Sequence, residues 1–222
     1  MREMSDADRV DAIAGRLEAH YGPIPWERQG DPLDVLILTI LSQNTNDTNR
    51  DQAYAELQAN YPSHRAMAEA PTEELAESIR TAGMHNQKAK SIQRALRTTY
   101  ERHGVYDLRH LEELTGEQAL DELVALKGVG KKTAGIVLAF SLGVPYFPVD
   151  THIQRITKRL RLVEGSQDPH DVMNELVADE LKYQFHIQLI QHGRETCKAR
   201  KPRCEACVIA DLCPVPEHGL PD

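Results

Sequence analysis

Aromatic residues are scarce in this 222-residue chain, which holds one Trp, three Phe and seven Tyr. Val and Ile collect in a few short runs while helix formers are plentiful. No uninterrupted apolar run is long enough to cross a bilayer, and the polar start, MREMSDADRVDA, carries no targeting signal. Repeats of solenoid period and low-complexity tracts are missing too, which leaves one large or two small domains with ample core. Cysteine is absent before position 197, and its four copies fall between 197 and 213. The disulfide framework of a secreted domain would be spread more widely, so a reducing, cytoplasmic compartment is expected.

Basic charge is also in deficit: 26 Lys and Arg against 34 Asp and Glu give a net charge of −8. The sum argues mildly against a nucleic-acid partner, but the distribution matters more. Residues 1–60 hold eleven acids and five bases, whereas Lys127 to Arg161 holds seven bases and one acid, Asp150. A second basic stretch covers 194–203, so the surface is polarised.

The chain is organised around Leu126 to Asp150, LKGVGKKTAGIVLAFSLGVPYFPVD. One helical pattern ends there, the chain turns through Gly128 and Gly130, and a second apolar helical pattern opens and lasts to Leu142, a helix-hairpin-helix. Two glycines flanking one small residue permit backbone torsions barred to other residues. Consecutive amide N–H groups can then face outward where the second helix presents its own unpaired N–H groups. Such a turn holds a phosphate. A glycine-rich turn before a helix also serves plain chain reversal, and the basic residues gathered behind this one favour the phosphate.

Elsewhere the helical signals are regular. Val10, Ile13, Ala14 and Leu17 mark a first amphipathic helix over 6–19, followed by a Pro-rich loop. Asp31-Pro32 reads as an N-cap with proline at the first helical position, opening the apolar run to Leu41. The polar run Ser42 to Asn49 is a loop and the cap of the next helix, which extends to about Tyr61. Its amide side chains, Gln43 and Asn44 among them, offer donor and acceptor together and suit the reading or replacing of base edges. Further helices are expected from Thr72 to before Gly83 and from Asn86 to His103, and between them sit Met84 and His85. A Met in a short loop is commonly a core plug, but aimed at a duplex it can separate stacked bases. Thr115 to Gln118 has capping-box spacing. Asp150 reads as the N-cap of a basic amphipathic helix to Arg161, with one carboxylate oxygen left for other work. Asp168-Pro169 caps another helix, Gln184 to His192 form one more that Gly193 is expected to stop, and the tail PVPEHGLPD is expected to fray.

The cysteines Cys197, Cys204, Cys207 and Cys213 are spaced C-x6-C-x2-C-x5-C. Zinc ribbons commonly pair two short knuckles, and here only Cys204 and Cys207 are that close. An iron-sulfur cluster tolerates unequal loops, so the spacing favours a cluster while leaving zinc open. Lys198, Arg200, Lys201 and Arg203 lie between the first two cysteines. They either offset thiolate charge or present the loop to phosphates.

The G-V-G-K-K hairpin, the V-D-T-H whose aspartate follows the second lysine by eighteen residues, and C-x6-C-x2-C-x5-C, in this order, resemble the endonuclease III family of DNA glycosylases over about Pro32 to Cys213. The resemblance implies an all-α, two-lobed helix-hairpin-helix glycosylase fold with DNA in the cleft. Residues 25–144 would form a six-helix bundle, and 1–24 with 145–222 an iron-sulfur lobe. It assigns Lys132 as nucleophile, Asp150 as its assistant, and the four cysteines as ligands of a 4Fe-4S cluster. The chemistry is consistent: an amine can attack the anomeric carbon, displace a damaged base, form a Schiff base with the opened sugar and release the 3′ phosphate by β-elimination. A related adenine-removing branch lacks this lysine, so Lys132 points to a bifunctional glycosylase and AP lyase acting on oxidised pyrimidines. A mismatch or deaminated-base glycosylase, and a non-catalytic DNA-binding protein, are the alternatives. A flipped base leaves a gap that the family fills with a glutamine and a leucine; Asn44 and Met84 stand at those positions here. Expected DNA contacts are Gln43, Asn44, Met84, His85, Gly128, Gly130, Lys131, His152, Arg155, Lys198, Arg200 and Lys201. The expected partner is duplex DNA carrying a damaged base or abasic site, bound by a monomer with no membrane involvement.

Overall fold

A computed structural model of the chain describes residues 4–218, and no strand occurs among them. The helices in chain order are α1 (Asp6–Tyr21), α2 (Pro32–Ser42), α3 (Asp47–Asn60) and α4 (His64–Glu69). Next come α5 (Thr72–Ser78), α6 (His85–His103), α7 (Gly116–Val124) and α8 (Lys131–Ile136). The series ends with α9 (Thr151–Arg159), α10 (Pro169–Leu176), α11 (Lys182–Glu195) and α12 (Val215–His218). Two compact units result: Arg28–Val144 forms one, and the segments on either side of it, to Glu27 and from Pro145, form the other.

The Arg28–Val144 unit is built on α2. Asp31 caps it by accepting from the Leu33 amide at 3.0 Å, and Pro32 occupies the first turn, where its missing N–H is no loss. Leu33, Leu36, Ile37, Ile40 and Leu41 are at most 1% exposed. Each such side chain contributes about 1.5–3 kcal/mol by leaving water, so the run is a core helix rather than an amphipathic one. Three details depart from the sequence reading. A short helix, α4, capped by Ser63, follows Pro62 where no helix is expected. The segment before Gly83 divides into α5 and a 3-10 turn, Arg80–Ala82. The second hairpin helix passes from α8 into a π-helical turn, Val137–Leu142, before Gly143 ends it at φ 67°.

In the other unit, Val10, Ile13, Ala14 and Leu17 of α1 are 0–3% exposed and join Phe147, Ile153, Ile156, Met173, Phe185 and Leu189 in one core. Arg16 ties α1 to the cysteine segment through both oxygens of Asp211 and the Val208 carbonyl. Gly193 does not stop α11, which continues to Glu195. A Cβ there would lie 2.9 Å from Cβ and Nδ1 of His152 and 3.1 Å from Nη2 of Arg155, so the glycine lets α9 approach closely. In the tail, Val215–His218 form α12, and residues 219–222 lie outside the described residues.

Candidate nucleic-acid interface and metal centre

The hairpin grows from strong local signals. Thr115 and Gln118 form a complete capping box at the start of α7, with bonds of 3.3 and 3.0 Å. After α7 the buried Leu126 and Val129 pin the turn inward, while Lys127, Gly128 and Gly130 stay exposed. The two glycines differ. Gly128 sits at φ 98°, a left-handed torsion that requires glycine. Gly130 is the N-cap of α8 at φ −97°, which other residues adopt, and a Cβ there would meet nothing within 4 Å. The expectation of special torsions at both glycines therefore holds only at Gly128. The expected row of outward amides is interrupted as well, because the Val129 N–H closes the turn onto the Leu126 carbonyl at 2.9 Å. Lys131 and the half-buried Lys132 open α8.

Two loops of the same unit converge. Gln43 ends α2, and Asn44 follows at φ 52° with its side chain exposed. Met84 caps α6 at φ 48° and is 50% exposed, the reverse of a core plug. The Asn44 side-chain amide donates to Met84 Sδ at 3.5 Å, so the two residues that the resemblance pairs by role lie side by side. Both hold a left-handed backbone unusual for residues with a Cβ. What braces them went unnoticed in the sequence: Lys88, 2% exposed, donates through Nζ to the Leu41 carbonyl at 2.7 Å and the Ala82 carbonyl at 2.8 Å. One ammonium thereby ties the end of α2 to the turn before Met84, at the cost of a pKa pushed down by burial. Its position on the buried face of α6 was the available signal. His85, half-buried, is the first residue of α6 rather than part of the loop.

In the flanking unit, Asp150 caps α9 by accepting from the Ile153 amide through Oδ1 at 2.8 Å. Two side chains of this helix that are expected on DNA make contacts within the unit. Arg155, expected on DNA, donates from Nε and Nη2 to the Cys197 carbonyl at 3.1 and 2.9 Å and from Nη2 to the Gly193 carbonyl at 2.9 Å. His152 is half-buried against Gly193, with Nδ1 3.2 Å from Arg155 Nη2. Arg159, counted in the basic stripe, is 7% exposed and donates to the Lys198 and Ala199 carbonyls at 2.8 and 3.0 Å. The guanidinium groups of this amphipathic helix turn inward because the cysteine loop offers carbonyls that need donors.

The four cysteines line one pocket with Ile156, Leu160, Ile209 and Val215 around them. None forms a disulfide. Burial pushes the thiols of Cys207 and Cys213 up, and the charge of neighbouring cysteines pushes them further. Four cysteines lining one pocket are a donor set for a cationic centre, which would hold them as thiolates. Donors already face them: Arg159 Nη1 lies 3.2 Å from Cys197 Sγ and His192 Nε2 lies 3.5 Å from Cys207 Sγ. Burial drives the His192 pKa down to about 4, so the ring is neutral. Where Cys207 is ionised as a metal ligand, Nε2 is the donor to it and Nδ1, 3.2 Å from the Tyr21 hydroxyl, is the acceptor. Tyr21 and Arg159 lie far from the cysteine motif in sequence, and His192, five residues before Cys197, is not one of the motif's positions, which is why spacing could not announce them. Of the loop cations, Arg200, Lys201 and Arg203 are exposed and Lys198 is half-buried.

Residues 37–178 match the HhH-GPD superfamily base excision DNA repair protein pattern, and residues 197–213 match the iron-sulfur binding domain of endonuclease III. Endonuclease III of Escherichia coli K12 is 36% identical over 95% of this chain and 96% of its own length. Endonuclease III of Thermotoga maritima is 34% identical over 84% of each chain. A non-covalent endonuclease III–DNA complex superposes with a TM-score of 0.80 at 26% identity, covering 93% of this chain and 94% of that one. A trapped endonuclease III–DNA covalent intermediate gives 0.78 at 26% identity, covering 93% and 95%.

Proposed function

This chain belongs to the endonuclease III family of base excision repair DNA glycosylases, carries that family's 4Fe-4S cluster, and, we propose, is bifunctional, removing oxidised pyrimidines from duplex DNA and then cutting the strand as an AP lyase. The observation that carries this reading is Lys132, an amine on the opening turn of the second hairpin helix, directly behind an exposed glycine turn. A glycosylase that only hydrolyses the glycosidic bond has no use for an amine there.

In this reading Lys132 Nζ, as the free amine, attacks C1′ of the damaged nucleotide, with Asp150 as the assisting carboxylate. The N–C1′ bond forms as the glycosidic bond breaks, and the base leaves with its bonding electrons and a proton. Ring opening gives a protonated imine, C2′ loses a proton, and the C3′–O bond breaks to release the 3′ phosphate. Because Asp150 is held to its helix through Oδ1, its carboxylate keeps a defined aim while sharing the positive charge that develops on the sugar. Asn44 and Met84 occupy the gap left by the extruded base. The hairpin turn at Gly128 and Gly130, with Lys131, grips the backbone, and Gln43 and His85 border the wedge. Arg200 and Lys201, with Lys198, present the cysteine loop to phosphates. Cys197, Cys204, Cys207 and Cys213 hold the cluster, whose iron supplies the positive charge that lets four thiolates share one site. The Arg28–Val144 unit is the hairpin lobe and the flanking unit the iron-sulfur lobe. The protein works as a monomer in a reducing cytoplasm, a compartment that keeps thiols available as cluster ligands.

The test incubates the holoprotein with duplexes carrying one thymine glycol or one abasic site, with and without borohydride, and resolves products on a denaturing gel. Strand cleavage and a trapped adduct on both substrates, lost in Lys132→Gln while DNA binding persists, are expected. An adduct on the abasic duplex alone refutes the assigned base, and none on either refutes the lyase.

A further inference from the structure

The end of α6, the 3-10 turn Arg109–Glu113 and α7 carry three side chains for which the repair chemistry has no role. Nε2 of His103 lies 3.0 Å, and Nε2 of His110 2.6 Å, from the same oxygen, Oε1 of Glu122. The two imidazole rings pack against each other at a tilt, with centroids 4.1 Å apart and planes 33° apart. We propose that His103, His110 and Glu122 form a binding site for a divalent first-row transition ion, zinc being the simplest occupant.

Three features point to an ion rather than to a bare hydrogen-bonded group. Both rings turn the same nitrogen toward one carboxylate oxygen, and the three ligand atoms all lie within 4.8 Å of one another. A carboxylate alone draws two rings together most strongly when both are cationic, yet ring centroids 4.1 Å apart would then hold like charges close together. An ion instead accepts a lone pair from each neutral ring and is balanced by one carboxylate. The donor set itself, two imidazoles and one carboxylate, is the kind that borderline divalent ions take.

The geometry needs little change. Ion–ligand distances of about 2.0–2.2 Å place ligand atoms roughly 3.3–3.6 Å apart in a tetrahedron. The N–O contacts must therefore open by somewhat under an ångström, and side chains that are 25%, 33% and 23% exposed have room to do so. Gly104, at φ 72°, ends α6 immediately after His103 and turns the chain back so that His110 faces the same point. Three protein ligands leave one position for water. Because Glu122 stands near the end of α7, which runs straight into the Leu126–Gly130 turn, an ion here staples the first hairpin helix to the end of α6. Its role is to hold that segment rather than to act on substrate.

The experiment titrates Zn²⁺ into the holoprotein by calorimetry while the visible absorbance of the iron-sulfur cluster is followed, in wild type and in His103→Ala, His110→Ala and Glu122→Gln. The expected result is one site in wild type, weakened in each variant by more than the roughly 10- to 100-fold that loss of an outer-shell partner costs, with cluster absorbance unchanged. Three independent, partly exposed substitutions guard against misfolding of any one. Equal zinc uptake by wild type and all three variants, no uptake by wild type, or uptake that tracks loss of cluster absorbance overturns the proposal.

Discussion

Lys88→Met keeps the length and apolar stem of a side chain that is 2% exposed, and removes the ammonium that joins the Leu41 and Ala82 carbonyls. Two buried carbonyls are then left without a donor, at about 1–3 kcal/mol each. Relief from burying the ammonium, whose pKa is already pushed down by desolvation, offsets part of this. The net expectation is a loss of about 2–4 kcal/mol. Urea unfolding followed by far-UV circular dichroism measures the loss, and hydrogen exchange locates it at the end of α2 and the first turn of α6. Asn44 and Met84, both in left-handed torsions, depend on that brace, so base excision should fall more than DNA binding does. A change under about 0.5 kcal/mol, the range of an ordinary surface substitution, with unaltered exchange at those sites, would refute the reasoning.

Two further expectations concern other contacts. Arg159→Met removes the donor to Cys197 Sγ and two backbone clamps, so cluster absorbance should decay faster in air while far-UV dichroism stays near wild type; equal decay rates would remove the assigned role. His64 is held above the ordinary imidazole range chiefly by its hydrogen bond to Asp34, and Asp34 is held below the ordinary carboxylate range chiefly by the same 2.7 Å bond. The histidine's contribution is complete below an unfolded pKa of about 6.5 and fades as pH rises through its raised folded value, while the aspartate's fades as pH falls below about 3.9. Thermal stability should therefore carry a component that peaks between these limits and is missing in His64→Gln; superimposable pH profiles would contradict it.

Much of this was legible from residues alone, for identifiable reasons. Caps at Asp31, Thr115, Asp150 and Asp168 are short-range signals, each decided by a side chain reaching an amide two or three residues on. The 3.6-residue rhythm of α1 and the unbroken apolar run of α2 report one-sided and all-round burial. Gly193 was misread because a glycine that stops a helix and one that admits a neighbouring helix look identical until the neighbour is in place. Arg155 and Arg159 read as a phosphate stripe because sequence records charge but not which carbonyls lie within reach. Lys88, His192 and Tyr21 are silent for the same reason: Leu41, one of the two partners of Lys88, is 47 residues away, and the partners of His192 and Tyr21 are 15 and 171 away.

Helix α9 has a consequence of a mechanical kind. It spans only nine residues, about 13 Å of rise. At one end Asp150 fixes its first turn, and at the other Arg159 grips the loop that begins at Cys197. A segment of two and a half turns is too short to bend, so it acts as a lever, with Gly193 of α11 as the fulcrum against which His152 and Arg155 rest. Slackening of the cysteine loop need not reach Asp150 through any chain of altered contacts; a tilt of the rod is enough to swing the carboxylate. Oxidative damage to the metal centre would then register first as a misdirected aspartate, before any helix melts.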